Sequence, residues 1–252
     1  MKKNKVIGVI PARYASQRLP AKPLIDLLGK PMVQRVYEQA SRARLVNEVV
    51  VATDDSRIEL VVKQFSGNVM LTSPEIRSGS DRVAAVAKEM KADIFVNIQG
   101  DEPLIFPEMI DEAVQVLLDD PDAPVGTLVR KIESTDELLN PGIVKVALAE
   151  NRYVLYFSRS VIPFLRDAPN QKEWLRHATF YKHIGLYVFR AAFLKTYSGL
   201  LESRLEQAEK LEQLRILENG YKIKAGVTRF DSIPVDTMED AERVIQILKK
   251  PS

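Results

Sequence analysis

The sequence predicts an α/β fold, with a mostly parallel central sheet and helices on both faces. Three observations carry this. Short β-branched runs alternate with helical segments from residue 6 to about residue 118. The strand segments are apolar without interruption, as expected where both faces of a parallel sheet are covered. Finally, 46% of the 252 residues are hydrophobic, enough for a full core and too many for global disorder.

Each element follows in order. Val6–Ile10 is the first strand, and Pro31 suits the first position of a helix running to about Arg44. Glu48–Ala52 is a second strand ending at Thr53-Asp54-Asp55; Arg57–Phe65 reads as helix and Val69–Leu71 as a short strand. Ser80–Met90 is helical, with Ser80 or Asp81 placed to cap it. Ile94–Ile98 is a strand that runs into Gln99-Gly100-Asp101-Glu102-Pro103, and Pro107–Leu118 is helix. The rhythm then changes. Val125–Arg130, Val144–Ala149, Tyr153–Phe157 and His183–Phe189 are strands with little helix between them, and 166–182 is polar and irregular, the pattern of a mobile loop. Leu205–Asn219 reads as one helix closed by Gly220, and the last helix starts at Thr237 with a capping-box pattern to Asp240. The expectation is a single domain over 1–252, with a β-rich excursion at about 125–190 before the chain returns to the main sheet.

Composition excludes several functions. There is no cysteine, hence no disulfide, thiolate chemistry or cysteine metal site, and two histidines cannot build a histidine-rich one. A catalytic metal would be a hard ion on carboxylates, such as Mg²⁺. The net charge of +2 comes without a basic tract interleaved with aromatics, so no nucleic-acid partner is expected. Nor is a membrane partner expected. The charged start Met-Lys-Lys-Asn-Lys is followed by too short an apolar run for a signal peptide, and no segment approaches a membrane span. A cytoplasmic protein is expected.

Ligands of open α/β sheets bind beyond the carboxyl ends of the strands. That rule selects four loops, 11–22, 53–55, 72–82 and 99–103; in the first, Arg13, Arg18 and Lys22 stand among prolines Pro11, Pro20 and Pro23, as a phosphate grip or as ordinary solvated surface charges. Guanidinium forks and an ammonium there suit a polyphosphate. Asp101, after the strand Ile94–Ile98, could hold Mg²⁺ against phosphate oxygens, or could be a turn aspartate bonding its own backbone. Asp236 stands similarly before a helix, where the macrodipole alone would favour it. The segment Arg77-Ser78-Gly79 offers hydroxyls and amides to a nucleobase edge, or simply an N-cap. Arg159 ends a strand. Glu212 and Gln213 could bond sugar hydroxyls or form an ordinary polar helix face. His183 and Tyr187 share one face of their strand, which could be core or pocket.

Taken together, the runs Ile10–Leu24, Val51–Asp54, Ser78-Gly79, Asn97–Pro103, Leu155–Ser160, Glu212–Arg215 and Val235–Thr237 resemble the 3-deoxy-manno-octulosonate (Kdo) cytidylyltransferases, in that family's order and over nearly the whole chain. The resemblance implies a Rossmann-like nucleotidyltransferase fold of the glycosyltransferase-A type. It implies the reaction of CTP with Kdo to give CMP-Kdo and pyrophosphate for lipopolysaccharide biosynthesis, with Mg²⁺ and a homodimer. By position, Arg13, Arg18 and Lys22 would hold the triphosphate, Asp101 and Asp236 the metal, and Arg77, Ser78 and Gly79 the cytidine. Gln99, Arg159, His183, Tyr187, Glu212 and Gln213 would face the acid sugar. The chain departs from the family pattern at Phe164, where tryptophan is common. Cytidylyltransferases for 8-amino-Kdo or a nonulosonic acid such as sialic acid are the nearest alternatives, and a non-catalytic nucleotide-binding protein is a further one.

Overall fold

A computed structural model describes residues 4–15, 19–76 and 78–249, so Arg18 and Arg77 lie outside the described residues. The chain runs β1 (Val6–Ala12), α1 (Met32–Ala40), β2 (Glu48–Thr53), α2 (Ser56–Gln64), β3 (Val69–Leu71), α3 (Gly79–Glu89), β4 (Ile94–Asn97), α4 (Pro107–Asp119), β5 (Val125–Lys131) and α5 (Thr135–Leu139). It continues through β6 (Lys145–Leu148), β7 (Val154–Ser158), α6 (Trp174–His177), β8 (Tyr181–Arg190), α7 (Ala191–Tyr197), α8 (Arg204–Glu209), α9 (Leu214–Glu218), β9 (Ile223–Thr228) and α10 (Met238–Leu248).

One sheet organises these elements, in the order β3-β2-β1-β4-β8-β5-β9. Strands β3, β2, β1 and β4 are mutually parallel, β8 runs against both of its neighbours, and β5 pairs parallel with β9. The α/β class is therefore realised, with one antiparallel strand inserted along this path. Strand alternation splits the core in two. Val6, Ile10 and Ala12 face α1, α2 and α4, among Val33, Val36, Ile58, Val62, Met109 and Val114. Ile7 and Val9 face α3, α7 and α9, among Val83, Val86, Leu194 and Leu214. Both faces of β1 are thus buried, as its uninterrupted apolar run requires.

The second half departs from the sequence expectation in four ways. First, β5 and β8 are strands of the main sheet path, so the excursion narrows to the β6–β7 hairpin, joined through β6 to β8, and the segment that follows it. Second, 166–180 is anchored. Trp174 is 1% exposed, packs with Ile132, Leu138 and Phe180, and donates its indole N–H to the Ala168 carbonyl at 2.6 Å. One large aromatic outweighs a polar surround in deciding whether a segment packs. Third, β9 has no counterpart in the sequence reading, because Ile-Lys-Ala-Gly-Val-Thr interleaves apolar and polar residues too weakly to stand out.

Fourth, the single helix 205–219 is two. Lys210 adopts a left-handed conformation (φ 55°) that ends α8, and Gln213 begins α9, so Glu212 lies in the connecting turn. Elsewhere the helix starts were legible. Pro31 directly precedes α1, and Thr237 with Asp240 forms the expected capping box of α10. The cap of α3 is Ser78, neither Ser80 nor Asp81.

Candidate active site

Chain order reverses between β1 and β4: β2 and β3 build outward on one side of β1, and β4 starts the other. Open sheets form their ligand crevice at such a switch point, beyond the strand ends. Here the crevice is lined by Arg13, Lys22, Gln99, Gly100 and Asp101. Gly100 is required by close approach, since a Cβ at that position would stand 2.6 Å from the Pro11 carbonyl oxygen. The loops after β1 and β4 therefore touch through backbone, which leaves their side chains to line the crevice.

Lys22 sits at the start of a 3-10 turn (Lys22–Leu24), stiffened by Pro23 and preceded by Ala21 at φ 55°. Its ammonium donates to Asp101 Oδ2 at 2.6 Å and to Asp236 Oδ1 at 2.9 Å. Asp236 is far away in sequence and is brought in by two devices. Val235 N donates to the Asp101 carbonyl at 2.9 Å, and Asp240 Oδ2 accepts from the backbone N–H groups of Asp236 and Thr237 at the helix start. The two carboxylates thus converge on one ammonium. Burial lowers the Lys22 pKa, but the charges and hydrogen bonds of Asp101 and Asp236 outweigh it and leave the group above its ordinary value. Arg13 Nη2 is buried without a hydrogen-bond partner among the described residues, a donor left for a ligand.

On the other side of the crevice, β8 bulges. Thr127 pairs with Tyr187, but the next residue of β5, Leu128, pairs with Ile184, so β8 carries two extra residues. Two extra residues preserve alternation, and His183 and Tyr187 remain on one face with ring centroids 5.1 Å apart. The bulge frees the Gly185 carbonyl, which accepts from Gln99 Nε2 at 2.8 Å. The Thr127 hydroxyl donates to the Leu186 carbonyl at 2.9 Å and lies 2.9 Å from His183 Nε2. With its one proton so committed, it accepts from Nε2–H and leaves Nδ1 an acceptor. Burial holds the His183 pKa down to about 3, so the ring is neutral near neutral pH. Tyr187 is 4% exposed, and burial together with the Glu212 charge raises its pKa well above the ordinary value.

The start of α3 links to the second half of the chain. Ser78 caps the helix through Asp81 N, Gly79 packs against buried Asn97, and Ser80 Oγ donates to Glu212 Oε1 at 3.0 Å. Burial raises the Glu212 pKa, partly opposed by hydrogen bonds from Ser80 and Ser78. Gln213 is 3% exposed at the start of α9. Arg159 lies to one side, donating to the carbonyls of Glu209 (2.8 Å) and Pro141 (3.1 Å). The structure therefore joins Arg13, Lys22, Gln99, Asp101 and Asp236 around one crevice. It joins His183, Tyr187 and Glu212 in a second group connected to it through Gln99 and Gly185, and it leaves Arg159 tied to α8.

Sequence reasoning missed Arg82 and Glu209. Glu209 takes the Ser158 hydroxyl at 2.6 Å and the Arg159 backbone N–H at 2.9 Å. Arg82, fully buried, had one signal. It is a cation in the first turn of a helix, against the macrodipole, where ordinary surface charge selection would place an anion.

Fold and crevice together are those of a nucleotidyltransferase. A family model described as "Cytidylyltransferase" matches residues 7–223. The 3-deoxy-manno-octulosonate cytidylyltransferase of Geotalea uraniireducens is 49% identical over 98% of this chain and 100% of that one, and its namesake in Parabacteroides distasonis is 50% identical over 97% and 98%. A solved CMP:2-keto-3-deoxy-manno-octonic acid synthetase complexed with CTP superimposes with a TM-score of 0.90 at 44% identity, covering 97% of this chain and 98% of that one. The chain belongs to the 3-deoxy-manno-octulosonate cytidylyltransferase family.

Proposed function

We propose that the protein transfers a cytidylyl group from CTP to Kdo, giving CMP-Kdo and pyrophosphate for lipopolysaccharide biosynthesis. The observation that carries this reading is the convergence of Lys22, Asp101 and Asp236 at the mouth of the switch-point crevice. In the transfer, the anomeric hydroxyl oxygen of Kdo bonds to the α-phosphorus of CTP. The bond from that phosphorus to the bridging oxygen breaks, pyrophosphate leaves, and the hydroxyl proton is released. Such a step needs positioning and charge compensation and no side-chain nucleophile.

Arg13 and Lys22 hold the triphosphate in this reading, and Ser78 and Gly79 approach the cytidine; Arg18 and Arg77 have the same assignments by sequence. Two carboxylates that both reach one ammonium, together with phosphate oxygens, form the oxygen donor set of a hard divalent ion. The residues present therefore fit Mg²⁺, and Asp101 and Asp236 would hold it. When bound, the ion would offset charge on the reacting phosphate oxygens. Gln99, His183, Tyr187, Glu212 and Gln213 form the acceptor side. Neutral His183 offers Nδ1 as an acceptor for a sugar hydroxyl, and Arg159, assigned to the sugar carboxylate by its place in the sequence, would have to give up its bonds to the Glu209 and Pro141 carbonyls to reach it.

Exposed Leu155 on β7 (63%) and Phe164 (70%), both in the 125–190 subregion, support a homodimer formed there, which mass measurement in solution tests. Among the described residues no helix is long and apolar enough to cross a membrane, which fits a cytoplasmic enzyme. Pyrophosphate release from CTP, with and without Mg²⁺, against a panel of Kdo, 8-amino-Kdo and sialic acid tests the reading. Release driven by Kdo is expected, and preference for another acid sugar would overturn the substrate assignment.

A further inference from the structure

Arg82 has no place in the reaction just described, yet its environment is among the most demanding in the protein. It is fully buried within the first turn of α3. A buried guanidinium is costly unless paired, and an apolar residue of similar volume would often serve stability as well or better. Its position is also opposed by the helix macrodipole. The charge must therefore be judged by what it organises.

The fork binds three acceptors on two separate pieces of chain. Nη2 donates to Asp54 Oδ2 at 3.1 Å, directly beyond the end of β2, and to the Ile76 carbonyl at 3.5 Å. Nη1 donates to the Thr72 hydroxyl oxygen, and the Thr72 O–H in turn donates to the Thr53 carbonyl at 3.1 Å. The segment held in this way cannot hold itself by burial, because Ser73, Pro74 and Glu75 are exposed. It leads directly into Ser78 and Gly79. Burial lowers the Arg82 pKa, the Asp54 charge opposes this, and the Arg13 charge adds to the lowering. One side chain thus connects the end of β2 with the segment 72–76.

We propose that Arg82 is a positioning residue: by tying 72–76 to Asp54 it fixes the seat of the pyrimidine nucleotide and hence the preference for CTP. The nucleotide part rests on the cytidylyltransferase reading above; the tie itself does not. A guanidinium is needed because acceptors in three directions must be met at once. An ammonium is a point donor and meets fewer of them in fixed geometry.

The test uses the full-length protein with Arg82→Met, Arg82→Lys and Thr72→Val. Amide hydrogen exchange in the absence of nucleotide reads the tie. Exchange in 72–76 should rise about tenfold or more in Arg82→Met, the scale of one lost charge-assisted hydrogen bond, while the middle of α3 keeps its protection. Steady-state kinetics read the seat. KM for CTP should rise about tenfold with a smaller change in kcat, and the ratio of CTP to UTP use should fall. Arg82→Lys should recover part of each effect. Thr72→Val, which keeps the charge and removes one acceptor, should shift both in the same direction by less, and it carries the test if Arg82→Met does not fold. Unchanged exchange in 72–76 overturns the proposal whatever the nucleotide. Faster exchange with KM and CTP preference unchanged overturns the positioning role. Failure of the unsubstituted protein to use CTP would instead overturn the cytidylyltransferase reading, leaving the exchange result to decide the tie.

Discussion

Lys22→Met should make the protein bind a free divalent ion more tightly while abolishing turnover. In the free protein the Lys22 ammonium is a counter-ion of both Asp101 and Asp236, at 2.6 and 2.9 Å, with the lysine side chain 12% exposed and the carboxylates 31% and 34% exposed. A divalent ion seeking the same carboxylates must first displace it. Hydrogen bonds to charged groups contribute about 1.5–3 kcal/mol each when well sheltered. The carboxylates are about one-third exposed, so solvent screening reduces that to roughly 2 kcal/mol for the pair of contacts. Removing the lysine also takes away a positive charge that both carboxylates share, which an ion would replace. About 2 kcal/mol corresponds to roughly 30-fold in Kd. The assay is titration of Mn²⁺ without nucleotide, read by the electron paramagnetic resonance of the free ion, beside pyrophosphate release with CTP and Kdo. Equal Mn²⁺ affinity in the two proteins would refute the reasoning, because it would mean that the carboxylates do not share one site with the ammonium.

Gly100→Ala drives a Cβ to 2.6 Å from the Pro11 carbonyl oxygen, so the loops after β1 and β4 must separate. Turnover should be lost and the urea midpoint should fall by the equivalent of about 1–3 kcal/mol; wild-type turnover would contradict the close-approach argument. His183 has a folded pKa depressed to about 3. Its contribution is therefore fully present above the unfolded value of about 6.5 and is lost as pH falls from there toward 3. His183→Gln should flatten the decline in stability between pH 6.5 and 5, by up to about 2 kcal/mol in denaturant titrations; an unchanged slope would remove His183 from that decline. Trp174→Ala removes the centre of the small cluster with Ile132, Leu138 and Phe180. A loss of about 3–5 kcal/mol is expected, with faster proteolysis in 164–180; an unaltered cleavage pattern would mean that the indole does not anchor that segment.

The legible parts of the fold were those with strong local chemistry. Val6–Ile10 and Glu48–Ala52 announced buried strands by their clustered β-branched residues, and Thr237 with Asp240 announced a helix start by its reciprocal cap. Illegible parts were those decided by partners far away in sequence. Ile223–Thr228 becomes a strand because β5 offers it a parallel edge, and Lys210 breaks a continuous helical pattern because the left-handed turn brings Glu212 to Ser80. The same division runs through the site. Arg13 and Lys22 could be picked out from a cationic, proline-stiffened loop after a strand. Arg82 could not be given a role, because its three acceptors come from Asp54, Thr72 and Ile76 and only folding assembles them.

By itself, the sequence determined the alternation of strand and helix, the absence of thiol chemistry, the cations after the first strand and the family resemblance, because each is written in residues close together or in fixed order. Only the tertiary structure decided that Lys22 lies between Asp101 and Asp236, that a bulge in β8 presents Gly185 to Gln99, and that a buried arginine holds the segment 72–76. The physical reason is range. Propensity, capping and turn chemistry act over a few residues and can be read along the chain. Charge pairing and the satisfaction of buried polar groups act across space, so they exist only once the sheet has brought its strand ends together.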